Sequence, residues 1–256
     1  MLKSLFSAFL MYSKIPMPKC EWKEENRRYA LGFFPLVGAV ISAMIILWRM
    51  LCDRIETGQF IFSAGAVFLP VLITGGIHID GFCDVIDARA SYADHKKRLE
   101  ILSDPHIGSF AAMQICLYFI IQTALFSSVK NMKEAAFIAC GYVLSRALSG
   151  ASAVVFKAAK KDGTLQSFVR PSHKKITIFM ELFFIAASTI AMIILYPLSG
   201  IACVAVGGIV LLCCKTIAYR EFGGYTGDIC GWFLQLCEMA HLAIFVLIKL
   251  ITEAIK

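Results

Sequence analysis

The sequence predicts an all-α fold: a polytopic transmembrane helical bundle of about seven spans, forming one integral membrane domain over residues 1–256, with a short interfacial helix at its N-terminus. Three observations predict it. Hydrophobic residues make up 59% of the chain and charged residues 17%, where soluble domains carry about 25% charged residues. Mean hydropathy is +0.73. Apolar stretches long enough to cross a hydrocarbon core of about 30 Å recur along the whole chain. The ten cysteines are scattered, mostly inside these stretches, with no C-x-x-C pair, and read as small buried hydrophobes rather than a disulfide framework.

Each element follows in order. Residues 1–10 are apolar apart from Lys3 and are followed by Pro16 and Pro18 rather than a small-residue cleavage site, so they read as an interfacial helix and not a signal peptide. Lys14 to Arg28 is charged and proline-punctuated, with Trp22 and Tyr29 as interface aromatics. The first span runs from Leu31 to Trp48 and the second from Phe60 to Ile77, where Pro70 and Gly75-Gly76 kink or break its far end. A long polar loop, 78–106, precedes a third span (Ile107 to Phe126) and a fourth (Ala135 to Phe156). Lys157 to Lys175 forms a basic loop. The fifth span covers Ile176 to Tyr196, Pro197 to Gly200 makes a tight turn, and Ile201 to Leu212 is a short sixth span. A second polar loop, 215–229, leads to the last span, Ile229 to Ile251.

Charge sets the orientation. With seven spans, segments 12–30, 78–106, 157–175 and 215–229 share one side and hold 17 Lys/Arg, against 6 on the other. That bias puts them in the cytoplasm. The net charge of +7 thus reports the anionic leaflet and calls for no nucleic acid. Both polar loops become cytoplasmic, which supports one shared site.

The chemistry concentrates in Gly75 to Arg89. Asp80, Asp84 and Asp87 are spaced i, i+4, i+7, which on a helix gathers three carboxylates on one face. Unscreened, they repel. A divalent cation removes the repulsion, and Mg²⁺ favours a few carboxylates together with substrate phosphate oxygens, so this triad is the expected metal set, with Asp104 and Asp228 as further site carboxylates. Arg89, Arg98 and Arg220 have the fork geometry that grips phosphate. Gly223, Gly224, Thr226 and Gly227 form a loop whose backbone amides can approach an anion. His78 is placed to take a proton from an attacking hydroxyl. Arg146 and Glu238 lie deep in the fourth and last spans; they read either as a buried ion pair or as parts of the site, Arg146 then binding phosphate.

These residues form a recognisable pattern. Gly75-Gly76-Ile77-His78-Ile79-Asp80-Gly81-Phe82-Cys83-Asp84-Val85-Ile86-Asp87 resembles the signature of the cobalamin 5'-phosphate synthase family, the adenosylcobinamide-GDP ribazoletransferases. The likeness continues through Arg98 to Phe110, Ser145 to Gly150 and Arg220 to Asp228, in the right order over nearly the whole chain. Ala88, Pro105-His106 and Tyr225 depart from the pattern without removing a carboxylate. The resemblance implies a Mg²⁺-dependent membrane enzyme that joins adenosylcobinamide-GDP to α-ribazole, or its 5'-phosphate, and releases GMP. Its partners would be these two substrates and the lipid bilayer; association with further copies of the chain is left open.

Two other classes are weighed. A lipid-forming CDP-alcohol phosphotransferase would need the longer DG-x-x-A-R…G-x-x-x-D-x-x-x-D pattern, but Asp80-Gly81 is followed by Phe82-Cys83-Asp84. A transporter using Arg146 and Glu238 would be expected to show inverted repeats with broken helices in both halves, and the second half has no counterpart of the acidic motif. No Walker, dinucleotide-binding, HExxH or GxSxG motif is present.

Overall fold

The computed structural model describes residues 1–160 and 162–255; Lys161 and Lys256, both counted in the charge balance, lie outside the described residues. Helices account for nearly all regular structure, and no strand occurs among the described residues. A short N-terminal helix α1 (Leu2–Tyr12) is followed by α2 (Glu24–Arg27), a 3₁₀ turn at Leu31–Phe33, and the long α3 (Phe34–Arg54), where Pro35 occupies the first turn, its missing amide no loss. Next come α4 (Gln59–Thr74), α5 (Ile77–Ala90), α6 (His95–Ile101), α7 (Ser109–Phe126) and α8 (Met132–Val155). The chain closes with α9 (Thr164–Val169), α10 (Lys174–Leu195), α11 (Pro197–Phe222) and α12 (Gly227–Ala254).

Six helices, α3, α7, α8, α10, α11 and α12, are long and apolar enough to cross a membrane, and the bent pair α4–α5 makes a seventh candidate. α8 is the central rod: two thirds of its apolar window is buried, against a fifth or less for α10. It packs on α3, α10 and α12, so the core lies around Phe137, Leu144, Val37, Ile41 and Phe245.

The break between α4 and α5 positions everything that follows. Gly75 (φ 65°) and Gly76 (φ 79°) both adopt the left-handed conformation that a side chain disfavours. The chain turns by 93° there, so α5 runs at about a right angle to α4, as a broken span or a re-entrant loop does. The N-terminal segment holds this corner, with Lys14 N donating to Ile73 O at 2.7 Å.

Several expected boundaries move. The loop expected over 78–106 is largely helical, as α5 and α6, because α5 packs its buried face on α12 and α7 and leaves Asp80, Asp84 and Asp87 on the wetter side. The expected loop over 215–229 shrinks to Gly223–Thr226: Lys215–Phe222 belongs to α11, and Asp228 to the first turn of α12. Pro197 starts a helix rather than a turn, its fixed φ being suited to that position, and the sixth span runs on through Cys213 and Cys214 to Phe222. The expected N-terminal helix is present as α1, with Ser4, Ser7, Ala8 and Phe9 buried against the bundle.

Candidate active site

α5 lies on the first turns of α12, and residue 81 sets their separation. A Cβ at Gly81 would stand 2.8 Å from both Cα and O of Asp228, so only glycine allows this approach. The contact brings Asp228, far away in sequence, to Asp80 and Asp84. Three clefts meet at these carboxylates. Asp80 and Asp84 line an open cleft of about 800 Å³ together with Asp104. Asp80 and Asp228 line a cavity of about 240 Å³. Asp228 also lines a polar pocket of about 310 Å³ with Lys160, Thr226 and Gly227.

Electrostatics mark the cluster as unfinished. Partial burial, and then the charges of Asp80, Asp228 and Asp87, push the Asp84 carboxyl from 3.8 up to about 7. Repulsion of this kind is relieved by a cation, and the hard oxygen donors present are those a divalent cation such as Mg²⁺ prefers. Among the described residues, no three His, Cys, Asp or Glu side chains are already gathered in ligand geometry.

Asp87 departs from the expected triad. Its Oδ2 accepts from Gly108 N at 2.5 Å and its Oδ1 from Ala111 N at 3.1 Å, so both oxygens satisfy first-turn amides of α7. The i, i+7 spacing does put Asp87 on the same face as Asp80, but the N-terminus of α7 claims it.

The arginines divide. Arg89 and Arg98 both grip Glu221 at the end of α11: Arg89 Nε at 3.0 Å, and Arg98 Nη1 at 2.5 Å. Arg89 also stands over the Trp232 ring, 5.3 Å from its centroid. These contacts tie α5 and α6 to α11 and α12. Arg220 is exposed; its backbone carbonyl meets His95 Nε2 at 2.7 Å. Arg146 is buried and bound to Glu238 at 2.6 Å, with Tyr142 O and Ser145 Oγ beside it, so the ion-pair reading of these two residues holds. It does not reach the carboxylate cluster directly. Its Nε has no partner, and it shares an internal polar pocket with His78 and with the Gln122–Tyr118–Gln235 hydrogen-bond chain.

His78 connects the two regions. It lines both that internal pocket and the cavity at Asp80 and Asp228, and neither ring nitrogen has a hydrogen-bond partner.

The glycine segment behaves partly as expected. Gly223 (φ 74°) closes α11 and Gly224 lies against Lys157–Ala159, where Tyr225 N donates to Lys157 O at 2.8 Å and Ala159 N donates to Tyr225 O at 2.9 Å. Thr226 caps α12, its Oγ1 accepting from Ile229 N at 3.2 Å. The amides ahead of Ile229 have no acceptor inside the helix, and Gly227 lies exposed at the mouth of two clefts. Asp104 is exposed in the wall of the open cleft, and its hydrogen bonds to His106, backbone first, lower its pKa.

Three residues were missed in the sequence. Glu221 sits in a quoted motif, but its role as the anchor of two arginines depends on distant partners. Lys160 donates to Leu99 O at 3.1 Å and Ser103 Oγ at 3.3 Å, and lines the polar pocket. Glu181 of α10 is wholly buried against Gly150, with no hydrogen-bond partner for either carboxyl oxygen. A lone carboxylate in an apolar span was the signal for it, the same signal that picked out Glu238.

This arrangement defines a class: polytopic helical membrane proteins whose acidic site is built at a broken helix and opens on one face. Comparison with known proteins narrows it. The model of the cobalamin-5-phosphate synthase family matches residues 4–246, and the chain belongs to that family. It is 42% identical over 251 residues to a Lachnoclostridium phytofermentans protein named adenosylcobinamide-GDP ribazoletransferase, covering 96% of this chain and 94% of that one. Proteins of the same name from Geobacillus kaustophilus (30% over 237 residues, 89% of each chain) and Clostridium botulinum (26% over 245 residues, 94% of this chain and 96% of that one) are also similar. No solved structure matches the chain.

Proposed function

We propose that this protein transfers the cobinamide phosphate moiety of adenosylcobinamide-GDP to α-ribazole, or to its 5'-phosphate, giving adenosylcobalamin or its 5'-phosphate and GMP. The observation that carries this reading is the meeting of Asp80, Asp84 and Asp228 where α5 crosses α12, in a chain 42% identical to a protein of that name. A ribazole hydroxyl attacks the phosphorus borne by the cobinamide arm; the bond from that phosphorus to the GMP oxygen breaks, and the hydroxyl proton leaves. Such a transfer asks little covalent chemistry of the protein and much alignment and charge neutralisation.

Asp80, Asp84 and Asp228 are the residues that would hold Mg²⁺. When bound, the ion neutralises charge on the donor's diphosphate. His78, with both ring nitrogens unpartnered at the edge of the cluster, takes the hydroxyl proton. The free first-turn amides of α12 and the exposed Arg220 suit diphosphate oxygens. Arg89 and Arg98 act through Glu221, fixing α5 against α11 rather than gripping substrate. The lysine and arginine bias places the site mouth on the cytoplasmic side of the bacterial cell membrane.

The test is product analysis with purified protein in liposomes given Mg²⁺, adenosylcobinamide-GDP and α-ribazole. GMP should appear in step with the joined corrinoid and only when both substrates are present. Folded protein that binds the donor yet releases no GMP, or that turns over CDP-alcohols instead, overturns the proposal.

A further inference from the structure

The 240 Å³ cavity beside Asp80 and Asp228 has a distinct character. At about 240 Å³ it is smaller than the roughly 300–1,000 Å³ of pockets that engulf whole drug-sized ligands. Four rings run along its wall in sequence: Phe168 to Tyr12 (5.7 Å between centroids), Tyr12 to Phe34 (4.4 Å) and Phe34 to His78 (5.6 Å). Ala153, Leu165 and Leu234 add aliphatic wall. His78 stands in the wall with both ring nitrogens unpartnered, Asp80 and Asp228 open onto the acidic cluster, and Ser149 and Thr164 add hydroxyls elsewhere in the lining.

We propose that this cavity seats the planar base of the acceptor nucleoside, so that its aromatic wall selects the base and the ribose hydroxyls face His78 and the carboxylates. The inference rests on the transferase reading and deepens it by assigning the acceptor's place. A benzimidazole-type base is flat and apolar, with methylated edges and no exocyclic donors, and fits a slot walled by tilted rings. Guanine, with donors and acceptors around its edge, would leave them unsatisfied against Phe34, Phe168 and Leu234. The pocket lined by Lys160, Thr226 and Gly227 on the other side of Asp228 has the polar groups such an edge requires. The corrinoid is far too large for either and is left to the open cleft of about 800 Å³ at Asp80 and Asp84. Asp80 and Asp228 are the carboxylates shared between compartments, and that is where acceptor hydroxyl and donor phosphate must meet.

Two substitutions narrow the cavity from different walls: Ala153→Phe on α8 and Phe168→Trp on α9. Binding of α-ribazole to full-length protein in liposomes is followed by the fluorescence of its base, and KM is measured for each substrate. Each folded variant should bind α-ribazole at least about tenfold more weakly, with its KM rising in step while the donor KM stays within about twofold. Phe168→Trp, on a short helix, keeps the test alive where Ala153→Phe fails to fold. Folded variants that bind α-ribazole like the wild type, or that lose donor affinity instead, overturn the assignment. Wild-type protein that binds no α-ribazole, with or without donor, overturns the transferase reading itself, which separates the two failures.

Discussion

Arg146 and Glu238 make the sharpest claim about what holds the bundle together. Arg146 is 1% exposed and Glu238 6%, and their 2.6 Å contact joins the middle of α8 to the middle of α12. Removing one partner strands the other's charge in the interior, which costs about 3–5 kcal/mol. At roughly 2–4 °C per kcal/mol for a chain of this size, Arg146→Met or Glu238→Leu alone should lower Tm by roughly 6–20 °C. The double variant removes both charges and fills the space with apolar atoms, so it should recover most of the loss, leaving a coupling of at least about 2 kcal/mol. The assay is thermal unfolding in one detergent, with donor binding measured on the folded fraction. Single variants with unchanged Tm, or a double variant whose loss equals the sum of the singles, would refute the ion-pair reasoning. A stable Arg146→Met protein that no longer binds donor would instead return Arg146 to the phosphate-binding role its position in the sequence suggested.

Other expectations follow from the same contacts. Gly81→Val should force α5 off α12, since even its Cβ would stand 2.8 Å from the Asp228 backbone; we expect about 1–3 kcal/mol of destabilisation and loss of turnover in protein that still folds. Asp87→Ala leaves the Gly108 and Ala111 amides without their acceptor and should cost about 1–3 kcal/mol; Asp87→Asn, which keeps an acceptor oxygen, should recover part of the Tm, and equal Tm values for the two variants would contradict the capping role. Asp84 gives a pH signature: because its folded pKa of about 7 lies above 3.8, the unfolded chain loses this proton first, so in EDTA its contribution to stability falls as pH rises from about 4 to 7 and stays low above that. Mg²⁺ should therefore raise Tm most at and above pH 7, and Asp84→Asn should flatten both the pH dependence and the Mg²⁺ effect.

Much of this was legible in the sequence, for physical reasons that differ by element. The spans could be read because burial in lipid demands long apolar runs, and the ends of α7, α8 and α10 fall close to where those runs stop. Gly75-Gly76 announced a break. Its 93° turn was not legible, because left-handed glycines permit a corner without fixing its angle. The three aspartates were visible as one helical face, but sequence spacing cannot show which neighbour claims each one. Asp87 went to the amides of α7, and Asp228 came in from α12. The ion pairs of Arg89 and Arg98 were not legible, because their partner, Glu221, lies more than a hundred residues away. The sixth span, too short at Leu212 unless it ran on through Cys213 and Cys214, does run on, to Phe222, because α11 continues past the apolar run with Lys215 and Arg220 on its turns.

The most direct measurement is the initial rate of GMP release against Mg²⁺ concentration, run side by side for wild-type protein and Asp228→Asn in liposomes with both substrates. If Asp80, Asp84 and Asp228 form one cation-dependent centre, wild-type protein is silent in EDTA and saturates with added Mg²⁺. Asp228→Asn then needs at least about tenfold more ion, or shows no rate at any concentration. Full wild-type turnover in EDTA, or an Asp228→Asn curve that overlays the wild type, would contradict the centre built where α5 meets α12.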